Sequence, residues 1–63
     1  MPLYEIVLRF ADREEVGLGE GRPYERDEEV VIAGRPFLVV GVEPPRTERV
    51  SKRFILEPAA RSE

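Results

Sequence analysis

The residues best equipped for chemistry in this chain are its carboxylates, and most of them crowd one segment. Asp12, Glu14, Glu15, Glu20, Glu25, Asp27, Glu28 and Glu29 stand there against Arg13, Arg22 and Arg26, a local charge of −5. Carboxylates at that density are the raw material of a cation site or of an acid–base pair. Acid–base work by two carboxylates needs environments that push their pKa values apart, usually in a cleft. A chain of 63 residues has little interior from which to build one. Other reactive groups are scarce. There is no histidine and no cysteine, and the two serines, Ser51 and Ser62, both sit among charges with no base in view. A zinc site of imidazole and thiolate ligands is therefore out of reach. The expectation is a protein that is not an enzyme, with no catalytic residue, no metal ligand and no cofactor. The acidic segment then reads as a solvated edge.

Two further stretches carry a chemical suggestion. Gly17-Leu18-Gly19-Glu20-Gly21 has the look of a phosphate-cradling loop. It lacks the lysine and hydroxyl that follow the glycines of a P-loop, and the βαβ setting of a dinucleotide fingerprint. Glu20 would repel phosphate, so a flexible turn or bulged strand is the better reading. Arg46–Arg53, RTERVSKR, reverses the sign, with Arg46, Arg49, Lys52 and Arg53 against Glu48. This is the segment suited to a phosphate backbone or an acidic partner. Stacking platforms would strengthen it, and Tyr24 is the one aromatic left over after Tyr4, Phe10, Phe37 and Phe54 fall on core faces. A net charge of −3 argues against a generally cationic nucleic-acid binder. A charged edge strand that discourages aggregation outweighs nucleic-acid contact, which stays as the alternative.

The elements that position these residues are strands. In residues 3–10, Tyr4, Ile6, Leu8 and Phe10 alternate with Leu3, Glu5, Val7 and Arg9, the period of a strand whose first set faces the core. Ala11–Pro23 is irregular and reads as a long excursion with one short strand around Val16 and Leu18. The strongest local signal is Glu28–Glu43, where two apolar runs flank Gly34-Arg35. That dipeptide suits a type II′ turn and predicts a β-hairpin. Pairing across it sets Ile32 opposite Phe37, Val30 opposite Val39 and Glu28 opposite Gly41. Gly41 within a strand predicts a bulge or bend. Pro44 and Pro45 stop that strand, Arg49–Glu57 forms the last one, and Pro58 ends it.

Five strands in a meander with a long first loop form the pattern of a small SH3-like barrel. An OB-like barrel and a split antiparallel sheet are the alternatives. One domain, 1–58, is expected, with a polar C-terminal tail at 59–63. Its core faces leave Val31, Leu38, Val40 and Val42 on the second side of the hairpin. An apolar patch on a soluble chain marks an interaction site, unless the Ala11–Pro23 arm folds over it. The resulting expectation is a non-catalytic interaction module that self-associates or docks on a protein partner through these four residues. No leader-like segment and no apolar run of bilayer length occurs in these residues, so a cytoplasmic setting without a membrane partner is expected. The alternative is a nucleic-acid-associated barrel using Arg46, Arg49, Lys52 and Arg53.

Overall fold

A computed structural model of the chain describes residues 3–59. Its five strands are β1 (Leu3–Arg9), β2 (Glu14–Glu20), β3 (Glu29–Ile32), β4 (Arg35–Glu43) and β5 (Arg53–Pro58), in the sheet order β2-β1-β5-β4-β3. The protein is all-β, a curled mixed sheet that forms a half-barrel. Direct reversals between consecutive strands make directions alternate, so in a five-stranded meander the first and last strands must run the same way. They do: β1 and β5 pair in parallel from Glu5↔Arg53 to Leu8↔Leu56, while the other three ladders are antiparallel. The meander therefore closes on itself through β1 and β5. It stays open at the one remaining junction, between β2 and β3.

The strand at 3–10 forms as its alternation predicts, but the expected excursion at 11–23 is mostly sheet. The Phe10 N–H donates to the Arg13 carbonyl at 2.8 Å, so the chain reverses at once over Ala11-Asp12. β2 then pairs with β1 over seven residues, from Arg9↔Glu14 to Leu3↔Glu20. Glycine at 17 and 19 lowers strand propensity, and the sheet overrides it because Tyr4 requires the space. A Cβ at Gly19 would lie 2.5 Å from Tyr4 Cε1, so the ring covers the bare backbone there. The Tyr4 hydroxyl goes on to donate to the Arg22 carbonyl at 3.2 Å.

The hairpin forms with a different turn. Its central residues are Ala33 and Gly34, with φ of 53° and 77°, and Ile32 pairs with Arg35 and Val30 with Phe37. Positive φ at both central positions is the type I′ signature. Pro36 explains the choice. The predicted register would have made Ala33 and Pro36 the closing hydrogen-bonded pair, which needs an N–H that proline lacks. In the observed register Pro36 opposes Val31 at a non-hydrogen-bonded position. The shift moves the pairing by two residues, so every side chain keeps its face. Gly34 has the positive φ expected of it.

The bulge predicted near Gly41 is present: the β4–β5 register slips between Val39 and Gly41, with Val40 as the extra residue. On the opposite edge of β4, Asp27 donates to the Val39 carbonyl while the Val39 N–H donates to that of Glu28, so two residues again oppose one. The last strand begins at Arg53 rather than Arg49, because residues 51 and 52 bond only to β1, through Leu3 and Glu5. The expected tail lies outside the described residues except for Ala59, whose N–H donates to the Pro36 carbonyl at 3.0 Å.

Tyr4, Phe37, Val39, Phe54 and Leu56 form the buried centre of the concave face, with Ile6, Leu8, Phe10, Tyr24, Val30 and Ile32 packed around them. On the convex face Val7 and Ile55 are also buried, paired across β1 and β5. Two ionic rows flank them. One runs Glu14–Arg9–Glu57, with Arg9 3.4 and 3.5 Å from its partners. The other joins Arg53 to Glu5 at 3.0 Å and to Glu43. The long side chains in these rows screen one side of a single-layer sheet. No helix among the described residues is long and apolar enough to cross a membrane.

Candidate functional site

What the fold leaves unfinished lies between β2 and β3. Each is an edge strand with one neighbour, and the two edges face each other across the concave side. Pairing on β1 alternates from the Phe10–Arg13 bond, so residues 15, 17 and 19 turn their backbone groups toward β1. The N–H and C=O groups of Glu14, Val16, Leu18 and Glu20 therefore point away from β1, along the open edge, where the Glu20 carbonyl also accepts from the Tyr4 hydroxyl at 3.4 Å.

Side chains shape the same opening. Ile6, Leu8 and Ile32, all half-buried, line a cavity of about 290 Å³ together with Glu15, Val16, Gly17 and Leu18. A second cavity, of about 200 Å³, shares Leu8, Glu15 and Ile32 and extends to Phe10 and Phe37, with Arg13 and Arg35 also in its lining. Aromatic contacts close the groove at both ends. Tyr4, Tyr24 and Phe54 pack with centroids 5.1–5.4 Å apart at one end. Phe10 stands edge-on to Phe37 at 6.0 Å at the other. Gly17 opposes Ile6 in the middle of this trough, and a Cβ added there would meet no atom within 4 Å. On the convex side the two edge strands are apolar as well: Val16 and Leu18 are 59% and 68% exposed on β2, and Val31 is 69% exposed on β3.

The β2 edge and the turn before β3 are acid-rich, while Arg13 and Arg35 line the second cavity. β2 carries Glu14, Glu15 and Glu20 and no basic residue, and the turn leading into β3 carries Glu25, Asp27 and Glu28 against Arg26. That turn is tightly bonded. The Glu28 carboxylate accepts from the Glu25 N–H at 2.8 Å and from Arg22 at 2.7 Å. The Glu25 bond first and the Arg22 partner second hold the Glu28 carboxyl below the usual carboxylate range. Among the described residues, no three acidic side chains are gathered as a metal ion would require.

The residues singled out from sequence are distributed differently. Val31 and Leu38 share the convex face, but the bulge sets Val42 in register with Phe54 and leaves Val40 as the inserted residue. The Ala11–Pro23 arm does not cover them, because β1 and β5 lie between β2 and β4. In the basic segment Arg46, Arg49 and Lys52 are exposed on the β4–β5 connection, whereas Arg53 is 9% exposed and held by Glu5 and Glu43. Tyr24 is not a free platform, since it packs on Tyr4 and Phe54. Sequence reasoning placed Ile6, Leu8 and Ile32 in the core and missed that their strands enclose an opening. The available signal was the alternation of Val16 and Leu18 with glycine.

Comparison with known proteins adds nothing to this geometry: no family model matches the chain, and no curated protein or solved structure matches it either.

Proposed function

We propose that this chain is a non-catalytic interaction module that receives an extended segment of a protein partner at the open side of its half-barrel. The observation that carries the reading is the coincidence of an unpaired strand edge on β2 with an apolar trough beside it. Unpaired edges are templates for strand addition, and proteins usually blunt them. Here the edge is seven residues long, contains no proline or lysine, and is flanked by exposed Val16 and Leu18. Main-chain pairing would supply affinity and the trough would select side chains. The SH3-like description and a cytoplasmic setting belong to the same proposal, supported by the strand count and by a cysteine-free chain that is 37% charged. Self-association through Val31, Leu38, Val40 and Val42 is a narrower form of it, and the bulge at Val40 weighs against one continuous patch. The nucleic-acid alternative loses Arg53 to internal ion pairs and Tyr24 to the core. A photocrosslinking residue placed at Leu18, compared with one at Glu48, tests the reading in cells that make the protein. A protein adduct formed at Leu18 but not at Glu48 supports it. Equal adducts at both positions, or none at Leu18, overturns it.

A further inference from the structure

We infer that the segment received at the open edge of β2 is cationic, and that it places a large apolar side chain directly over Gly17. The inference rests on the proposed docking at this opening and specifies its occupant. The first argument is steric. Gly19 is accounted for by the protein's own packing, because Tyr4 Cε1 and Ile6 Cδ1 would lie within 3 Å of a Cβ there. Gly17 has no such account: a side chain would meet nothing, and its backbone is not in the left-handed region. Glycine inside a strand, with no bulge in its ladder and unforced by its own chain, is one mark of a place where another backbone approaches closely. Residue 17 is also, with 15 and 19, a position where an added strand would come nearest. Because Val16 and Leu18 present the outward hydrogen-bonding groups, a position opposite Gly17 is a non-hydrogen-bonded pair, with Cα atoms about 4.5 Å apart. Its side chain would enter the concave trough, where Ile6, Leu8 and Ile32 supply apolar walls.

The second argument is charge. An added strand runs beside Glu14, Glu15 and Glu20 on β2, in a protein of net charge −3; Arg9 and Arg13 hold Glu14 and Glu15, whereas among the described residues Glu20 is in no ion pair. Cross-strand pairs of opposite sign are favourable and like charges directly opposite are not. The same rule disfavours a second copy. Two β2 edges paired antiparallel about Gly17 would set Glu14 against Glu20 of the other chain. A basic side chain opposite Glu20 satisfies the position that Arg9 and Arg13 leave unmatched, and its aliphatic stem covers Leu18.

The test uses the full chain, labelled with nitrogen-15, and a blocked peptide of sequence Lys-Lys-Val-Leu-Val-Ser-Lys. Versions with every lysine replaced by glutamine or by glutamate accompany it. The lysine peptide is expected to shift the amide signals of Val16, Gly17 and Leu18 and to bind at least tenfold more tightly than the glutamate peptide. Gly17→Val should remain folded and lose at least tenfold in affinity for the lysine peptide. Glu20→Lys should narrow the gap between lysine and glutamate peptides by several fold without filling the trough. Equal binding of the three peptides, or full binding by folded Gly17→Val, overturns the inference while leaving the docking site in place. If no peptide shifts these signals, or if the free chain is already a dimer protected along β2, the docking reading falls with it.

Discussion

At the scale of single residues, two glycines two positions apart do different work, and their substitutions should separate. Gly19 lies under the Tyr4 ring, which is 4% exposed and held by Tyr24 and Phe54. An alanine there forces the ring out of a packed cluster, and overpacking of this kind costs about 1–3 kcal/mol. Gly19→Ala should therefore lower the urea midpoint clearly, whereas alanine at 17 should not; equal midpoints for the two would show that the ring is free to move. Tyr24 supplies the second prediction at this scale. Burial first, and neighbouring Tyr4 second, push its hydroxyl above the ordinary tyrosine range. Because the folded pKa is the higher one, the contribution of Tyr24 is complete below the unfolded value of about 10. It is lost as pH rises through the folded value. The melting temperature of the parent should fall faster than that of Tyr24→Phe above about pH 10. Parallel alkaline slopes would count against the burial of this hydroxyl.

At the scale of elements, legibility depended on whether a strand's own residues or its neighbours decided it. β1, the hairpin and β5 were readable because period-two alternation records a buried face directly, and the bulge was readable from Gly41. The hairpin's register was not read correctly, although Pro36 held the information: a proline cannot close a hydrogen-bonded pair, which rules out Gly34-Arg35 as the turn. β2 was the least legible element. Its glycines and exposed apolar residues carry no core-facing stripe, and it becomes a strand because Tyr4 and Ile6 on β1 require bare backbone beside them. The site shared that fate, since an opening belongs to the relation between two edges rather than to either sequence. The observed turn also carries a cost that can be removed. Ala33 sits at φ 53°, a left-handed conformation that disfavours residues with a Cβ but suits asparagine. Ala33→Asn restores the residue pair favoured in type I′ turns, and should raise stability by about 0.5–1 kcal/mol. In a domain this small that is a melting temperature higher by roughly 2–8 °C. A neutral or lower melting temperature would contradict the turn assignment.

At the scale of the whole molecule, the parity of the meander sets where stability resides and where it is absent. Five alternating strands close through a parallel β1–β5 pair, and the ladders on either side make β5 and β1 the interior of the sheet. The deepest side chains, Phe54, Leu56, Val7 and Val39, belong to β5, β1 and β4. Both edges that would complete the barrel lie on strands with one neighbour each. Hydrogen exchange reads this arrangement residue by residue, because protection follows both the pairing of an amide and the opening energy of its element. Amides of Phe54, Ile55 and Leu56 should exchange slowest, near the limit set by global unfolding. Along β2 protection should alternate. Glu15, Gly17 and Gly19 direct their N–H groups at β1 and should be slowed, while Val16, Leu18 and Glu20 direct theirs at the opening and should exchange as fast as loop amides. An added strand would erase the alternation by pairing the outward set, so the same measurement made with and without a bound peptide locates it. Slow exchange at Val16 and Leu18 in the free chain would mean that the edge is already paired, and the half-barrel would then have no opening to offer.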